Sequence, residues 1–508
     1  MANLTLDAQL QRSFTLMKLL INYELSLVAV DVEETSCGSK HLQVAHQLLH
    51  ENFERDLSVV LFHLSVLNAL GLLRSSLGEY DEALSALVSA ESLYHEWRRT
   101  LNQEPDFLTL GLRDAFLLPG SQGTRSSKEF QSETQVEKEY TKTVYYVAQV
   151  QEKRGESAVA AKYCSLTLTR QLDSGDYDPL DWSLNAAVLS QYFANHDAFE
   201  AARRLLALAL SQLAKVEPRD DDELLAKRRG DVDRILFKYC LMLMDREEEE
   251  VQPLKEAPVL PAFSDAEADR LEQEIPVSRP SDYDSALKVF LFANKRLASA
   301  LELFTLDEHA SDHADCILDQ SRAYQLLLRF TSDDSRICKL QKRRVDLLHQ
   351  LLSQLNPTYF QSHVRRMLFE VAEAYTDMVQ RKTSAGDASA KPSVAGKINA
   401  LVAKAIQHYE RFVDSFRDAK TGQLPSRFEE EYARPLLVAW FAVGRLHTKR
   451  VPSSAAEQSR GWTECESNWR RMLEYVEREA DHAALVQQEC QVAQEMLSLM
   501  HARGVVGR

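Results

Sequence analysis

The sequence predicts an all-α protein built from irregular helix pairs of the tetratricopeptide type. Three observations lead to this fold class. Apolar residues recur with a helical period from one end of the chain to the other. Only 16 Gly and 14 Pro occur in 508 residues, whereas sandwiches and Rossmann-type folds use more turn glycine. The segment at 67–94 also has the residue spacing of a tetratricopeptide repeat.

That segment reads "LNALGLLRSSLGEYDEALSALVSAESLY". Its repeat positions are Leu67, Leu70, Gly71, Gly78, Tyr80, Ala83, Leu87 and Ala90. Gly71 and Ala83 are small enough for two helix backbones to approach closely, and Gly78 permits the tight turn between them. We therefore predict a pair of antiparallel helices here.

Two further helix pairs follow with the same phase. In the first, Val144, Val147 and Ala148 match one helix, and Gly155 matches the turn. Its second helix is marked by Ala160 and Cys164. The next pair covers 186–209 and has Asp197 at its turn in place of Gly. The intervals between pairs exceed the 34-residue period of a regular array, so insertions are expected.

The composition of the chain divides it into four regions. We predict an N-terminal repeat subdomain at 1–227, a long apolar helix at 228–245, an acidic and proline-rich loop at 246–282, and a C-terminal helical repeat subdomain at 283–508. The loop holds five prolines and the acidic run at 247–250, which is typical of a solvated linker. Polar stretches predict further loops at 117–137, 382–397 and 450–461.

The charge of the chain limits the class of partner. A net charge of −16 and a pI near 5.4 disfavour binding to nucleic acid, to an anionic membrane or directly to acidic tubulin. The same charge suits a partner with a basic surface. The N-terminus lacks the pattern of a signal peptide, and no window reaches 18 uncharged apolar residues. Seven Cys without a CxxC pair indicate reduced thiols in a cytoplasmic protein.

Motifs of catalysis and cofactor binding do not occur. The chain has no phosphate-binding loop, no dinucleotide fingerprint, no GxSxG and no HExxH. "DEHASDHADC" places His309, His313 and Cys316 on one face of a helix, where they could hold zinc. The alternative is an acidic helix start, where Asp307 and Asp312 offset the helix dipole. We favour that alternative, and predict no enzyme activity, no metal and no cofactor.

A candidate binding surface follows from the phase of the repeats. Counting from Ala148 places Tyr145, Gln149 and Glu152 on the inner surface of the repeat array. The same phase places Asn68 and Gln191 there in the neighbouring pairs. A polar, aromatic groove of this kind suits a peptide or protein ligand.

Several longer segments resemble the kinesin-binding protein (KIF-binding protein) family. They span most of the chain in the order expected for that family. The segments are "DVEETSCGSKHLQVAHQLL" (31–49), "VYYVAQV" (144–150), "AAKYCSLTLTRQL" (160–172), "DWSLNAAVLSQYF" (181–193), "CKLQKRRVDLL" (338–348), "LNPTYF" (355–360) and "FEVAEAYTDM" (369–378).

The resemblance implies a right-handed α-solenoid whose two subdomains are joined by a linker helix, here 228–245. It implies a monomer that binds kinesin motor domains in its concave face and blocks their binding to microtubules. Cargo transport, including that of mitochondria, and microtubule organisation would be regulated in this way. A cytoplasmic, cytoskeleton-associated location is implied as well.

The resemblance also implies which residues contact the motor. The contacting Tyr and Gln of the family's "YYxAQ" segment fall on Tyr146 and Gln149, and a Gln in "RQL" falls on Gln171. A contacting Thr of the family corresponds to Val188, which lacks the hydroxyl group. The repeat phase favours Tyr145 where the resemblance favours Tyr146. The region before residue 31 looks shorter than in the family.

Two other functions are considered. One is a scaffold or co-chaperone adaptor that grips a peptide in the same groove. Repeats that clamp a chaperone's terminal carboxylate need Lys, Asn and Arg in the groove, whereas Tyr, Gln and Glu are predicted here. The other is a helical enzyme that uses the cluster at 307–316, which bound zinc would support.

Overall fold

A computed structural model describes residues 6–104, 107–112, 125–217, 223–245, 260, 265–384 and 392–502. These residues form eighteen α-helices and no strand, so the predicted all-α class is confirmed. The chain divides into two compact units. The first contains residues 1–228 and 248–277, and the second contains 229–247 and 278–508.

The first unit is made of consecutive helix pairs. Its helices are α1 (Leu6–Asp31), α2 (Thr35–Phe53), α3 (Val60–Ser76), α4 (Tyr80–Gln103), α5 (Arg125–Lys153), α6 (Ser157–Ser174), α7 (Pro179–Asn195) and α8 (Phe199–Lys215). Each odd-numbered helix packs on the next one, and α5 also contacts α3 and α4. Helix α9 (Glu223–Met244) begins in the first unit and belongs to the second unit from Arg229 onward.

The predicted close approach and turns of the helix pairs are confirmed. A Cβ atom added at Gly71 would lie 2.6 Å from Cγ of Leu87, so only glycine fits between α3 and α4 without movement. The turns hold Gly78 and Gly155, each at φ +80°, and Asp197 at φ +58°. Positive φ favours glycine because a Cβ atom is disfavoured there.

All four predicted loops contain more helix than expected. Within 382–397, α14 (Gln361–Ser384) extends to Ser384 and α15 (Pro392–Asp414) begins at Pro392. Helix α5 begins at Arg125, inside the loop predicted at 117–137, and α17 (Ala455–Arg478) begins inside the loop predicted at 450–461. Helix α10 (Ala266–Glu274) lies within 246–282. Asp265 caps α10 by accepting hydrogen bonds from the backbone of Glu267 and Ala268, and the helix packs on α8. The acidic run at 247–250 lies outside the described residues.

The second unit continues the stacking of successive helices. They are α11 (Tyr283–Leu303), α12 (Ala310–Leu328), α13 (Asp334–Leu352), α14 (Gln361–Ser384), α15 (Pro392–Asp414), α16 (Glu430–Lys449), α17 and α18 (Gln487–Ala502). A 3₁₀ helix at Ala480–Val486 precedes α18. One continuous apolar core runs from Ala314 in α12 to Met500 in α18.

A buried ion pair crosses this core. Arg344 of α13 is 2% exposed. Its guanidinium donates to Oγ of Ser321 at 2.7 Å and to Glu370 of α14 at 2.8 Å. On the outer side, the exposed Arg366 donates to the other oxygen of the same Glu370 carboxylate at 3.0 Å. The carboxylate therefore joins α12, α13 and α14.

Helices α16 and α17 approach closely at Gly444, which gives a prediction for stability. A Cβ atom there would lie 2.6 Å from the buried ring of Trp469 and 3.1 Å from the backbone oxygen of Cys465. Overpacking costs about 1–3 kcal/mol, more than the roughly 1 kcal/mol that Ala gains over Gly in a helix. We therefore expect Gly444→Ala to lower the free energy of unfolding in urea titrations.

The matched control is Gly396→Ala in α15, where an added Cβ atom meets nothing within 4 Å. This variant should be neutral or up to about 1 kcal/mol more stable, since only helix propensity changes. If both variants shifted stability equally, the close approach at Gly444 would not constrain the fold.

Two neutral histidines form a hydrogen bond between α13 and α15. Nε2 of His349 lies 2.9 Å from Nε2 of His408. Nδ1 of His408 donates to the backbone oxygen of Lys404 at 2.7 Å, so its Nε2 accepts the proton of His349. Burial lowers the pKa of both rings, and His408 together with Lys404 lowers that of His349 further.

Acidification should therefore weaken the second unit. Because both pKa values are lower in the folded protein, the unfolded chain binds more protons once the pH falls below about 6.5. Stability should decline from that pH downward as folded His349 and His408 are forced to protonate. We expect urea unfolding to depend less steeply on pH between 7 and 5 in a His349→Gln/His408→Gln variant. An unchanged slope would mean that other buried histidines, such as His447, account for the effect.

Burial also distinguishes the cysteines. All seven are free thiols, and Cys37 at the start of α2 is the exposed one. Burial raises the pKa of the other six thiols, which are Cys164, Cys240, Cys316, Cys338, Cys465 and Cys490.

Two stretches of the described helices are long and apolar enough to span a membrane, Asp7–Asp31 and Leu57–Ser76. The second is mostly buried and is a core helix of the first unit. The first, which is nearly all of α1, has most of its surface outside the core.

Candidate functional site

The sequence-predicted contact residues all lie in the first unit, on three successive helices. Tyr145, Tyr146 and Gln149 lie on α5. Gln171 lies on α6, which packs on α5. The following helix, α7, packs on α6 and carries the remaining residues, Val188 and Gln191.

The two adjacent tyrosines differ in their surroundings. Their ring centroids are 5.9 Å apart. The ring of Tyr146 packs against a buried cluster that includes Ala83 and Leu87 of α4, and burial raises the pKa of its phenol. Tyr145 is half-buried, and Gln149 and Glu152 one and two turns later are exposed. Tyr145 therefore shares a helix face with the exposed Gln149 and Glu152, whereas Tyr146, which is also half-buried, packs toward α4.

The glutamine on α6 has an unmet hydrogen-bonding group. Oε1 of Gln171 is buried and accepts no hydrogen bond from the described residues. A buried carbonyl oxygen without a donor costs about 1–3 kcal/mol.

The residues on α7 present a mixed surface. Val188, which the sequence resemblance aligns with a contacting Thr, is 51% exposed. Gln191 is half-buried one turn later. Since Val188 has no hydroxyl group, α7 offers apolar contact here instead of a hydrogen bond.

Asn68 does not lie on the predicted surface. It is 2% exposed, and its amide donates to the backbone oxygen and to Oε1 of Glu139 in α5, both at 3.0 Å. The repeat phase assumes that the first helix of each pair keeps one free face. Helix α3 has none at this point because α2, α4 and α5 pack around it.

Sequence reasoning missed an apolar groove of about 770 Å³ between α1, α3 and α5. Its lining residues are Leu20, Ile21, Glu24, Leu25 and Val28 of α1, Leu61 of α3, Leu112, and Gln135, Lys138, Glu139 and Lys142 of α5. The signal was present in the sequence, since apolar residues of α1 recur at helical spacing.

The candidate metal ligands at 307–316 have other partners. His313 donates through Nδ1 to the backbone oxygen of Phe304 at 2.9 Å. Asp312 pairs with Arg234 of α9 at 2.9 Å, and Cys316 is fully buried. Within the described part of the chain, no group of three or more His, Cys, Asp or Glu side chains could hold a metal ion.

Comparison with known proteins gives a consistent result. The family model described as "KIF-1 binding protein C terminal" matches residues 180–503. The KIF-binding protein of Gallus gallus is 31% identical over 97% of this chain and 88% of its own length. That of Homo sapiens is 29% identical, with coverage of 94% and 82%. A cryo-EM structure of KIFBP matches with a TM-score of 0.64 and 25% identity, covering 96% of this chain and 88% of that one.

Proposed function

The chain belongs to the KIF-binding protein family, and we propose that it binds kinesin motor domains and blocks their binding to microtubules. In this proposal it is a non-enzymatic, cytoplasmic monomer without a cofactor. By sequestering motors it regulates cargo transport, including that of mitochondria, and the organisation of microtubules. It does not itself bind microtubules.

The surface formed by α5, α6 and α7 supports this proposal most directly. It offers the half-buried Tyr145 and the exposed Gln149 on α5, the half-buried Gln171 on α6, and the exposed apolar side chain of Val188 on α7. Aromatic and polar groups in this mixture suit a protein partner, because Tyr supplies contact area and a hydrogen-bonding group at low entropic cost.

Charge complementarity supports the same partner. A motor surface that grips acidic tubulin must be basic, and this chain carries a net charge of −16. An acidic inhibitor can compete for that surface through long-range attraction. Raising the salt concentration should therefore weaken motor binding, chiefly by slowing association. Affinity that does not depend on ionic strength would contradict this part of the proposal.

Microtubule co-sedimentation tests the function. Purified motor domains from a panel of kinesins are mixed with stabilised microtubules, with and without this protein. We expect a subset of the motors to remain in the supernatant when the protein is present. If no motor of a broad panel is displaced, the proposal is wrong, and an adaptor that grips a different protein or peptide becomes the better interpretation.

A further inference from the structure

Helix α1 carries an apolar stripe that the core does not use. Four of its apolar side chains are between 45% and 58% exposed, and they are Phe14, Ile21, Leu25 and Val28. Their spacing of seven, four and three residues keeps them on one face of the helix. At 1.5 Å per residue the stripe is about 21 Å long.

The stripe forms one wall of the groove between α1, α3 and α5. Ile21, Leu25 and Val28 line the groove from α1, and Leu61 contributes from α3. The opposite wall is α5, which contributes Lys138 and Lys142. An apolar channel between two helices, open along its length, fits the apolar face of a third helix.

The two rims of the groove differ in how their charges are paired. On the α1 side, Glu24 is exposed and forms no ion pair with any described residue. On the α5 side, Lys138 and Lys142 are about half exposed and pair with Asp176 and Glu139. Because the charges on the α5 side are already compensated by one another, a bound helix is favoured when its basic residues face Glu24 of α1.

The groove is continuous with the surface proposed to bind the motor. Tyr23 of α1 is close enough to Glu139 and Tyr146 of α5 for both to act on its phenol. Lys142, which lines the groove, lies one turn before Tyr146 on α5. An occupant of the groove would therefore lie beside residues of the proposed site.

From this geometry we propose that the α1 groove binds an amphipathic α-helix of the kinesin motor domain, with an apolar stripe and a basic edge that faces Glu24. This inference rests on the proposed function and extends its contact surface to the N-terminal helices.

The experiment compares two double variants of the full-length chain by their affinity for a motor domain that the wild type binds. Leu25→Ser/Val28→Ser removes two apolar side chains from the groove. Leu72→Ser/Val88→Ser is the matched control, because each of these residues is 45% exposed and neither lines the groove. We expect the groove variant to bind about tenfold more weakly or worse, as for truncation of interface anchors, and the control to bind as the wild type.

The charge of the groove provides a second readout. Glu24→Lys should weaken binding more than Glu24→Gln, because it places repulsion opposite the basic edge of the motor helix. Equal affinity of wild type and groove variant, with the motor still displaced from microtubules, would overturn the inference and leave the proposed function intact. A wild-type protein that binds no motor would instead overturn the proposed function.

Light scattering of the unliganded chain tests the other occupant, a second copy. If the wild type is a dimer, Leu25→Ser/Val28→Ser is a monomer and motor affinity is unchanged, the groove is a self-association surface and the inference is wrong.

Discussion

Replacing Tyr146 and Gln149 together by Ala is expected to leave kinesin motors on microtubules under conditions where the wild type removes them. Truncation of an interface Tyr costs about 2 kcal/mol or more, and a polar neighbour about 1 kcal/mol. The sum corresponds to an affinity roughly 100-fold lower. Co-sedimentation and direct titration of the motor domain measure this loss.

Tyr146 also packs on the helix pair that precedes it, so its truncation needs a control for folding. Tyr146→Phe keeps the ring against Ala83 and Leu87 and removes only the hydroxyl. Tyr145→Ala removes the adjacent tyrosine instead. Greater loss with Tyr145→Ala would favour the repeat phase over the family resemblance. Wild-type affinity for the Tyr146→Ala/Gln149→Ala variant, once shown to be folded, would contradict the assignment of both residues.

Replacing Arg344 by Met is expected to cost about 3–5 kcal/mol of folding stability. The change removes the buried counter-charge of the Glu370 carboxylate, whose inner oxygen then accepts only the hydrogen bond from the hydroxyl of Ser321. The free energy of unfolding, from urea titration of the intact chain, measures the cost.

The matched control is Arg366→Met, which removes a charge from the same carboxylate at an exposed position. Exposed pairs contribute about 0–1 kcal/mol, so this variant should stay close to wild type. The double variant Arg344→Met/Glu370→Met should cost less than the sum of its single changes, because no charge is then left uncompensated. Equal effects of the two arginine changes would show that burial of Arg344 does not decide its contribution.

The sequence predicted those features of the fold that depend on local backbone chemistry. Gly71, Gly78 and Gly155 mark a close approach and two turns because few other residues fit those positions, and Asp197 could be assigned by analogy with them. The predicted loop extended to residue 137, whereas helix α5 begins at Arg125. Its early turns are rich in Ser, Thr, Lys and Glu, which read as a loop until the buried positions Val136, Tyr140 and Val144 are seen to recur every fourth residue.

The candidate site shows the limit of reasoning from a repeat. The phase of the repeat assigns a residue to one face of its own helix. For α5 this assignment gave Tyr145, which is half-buried, and Gln149, which is exposed. It does not show which face a neighbouring element covers. Asn68 has the same phase but is buried under α5, and the stripe on α1 stays open because no described helix packs on it. Both outcomes depend on the packing of distant segments.

The distribution of the thiols makes the protein easy to label at one position. Cys37 is exposed, whereas the remaining six cysteines are buried or half-buried and have raised pKa values, so their reactive thiolate forms are scarce at neutral pH. Cys37 lies beside Gly38, which packs against Val30 near the end of α1. A maleimide fluorophore on the unmodified chain would thus sit near the apolar stripe and report its occupancy without an engineered cysteine.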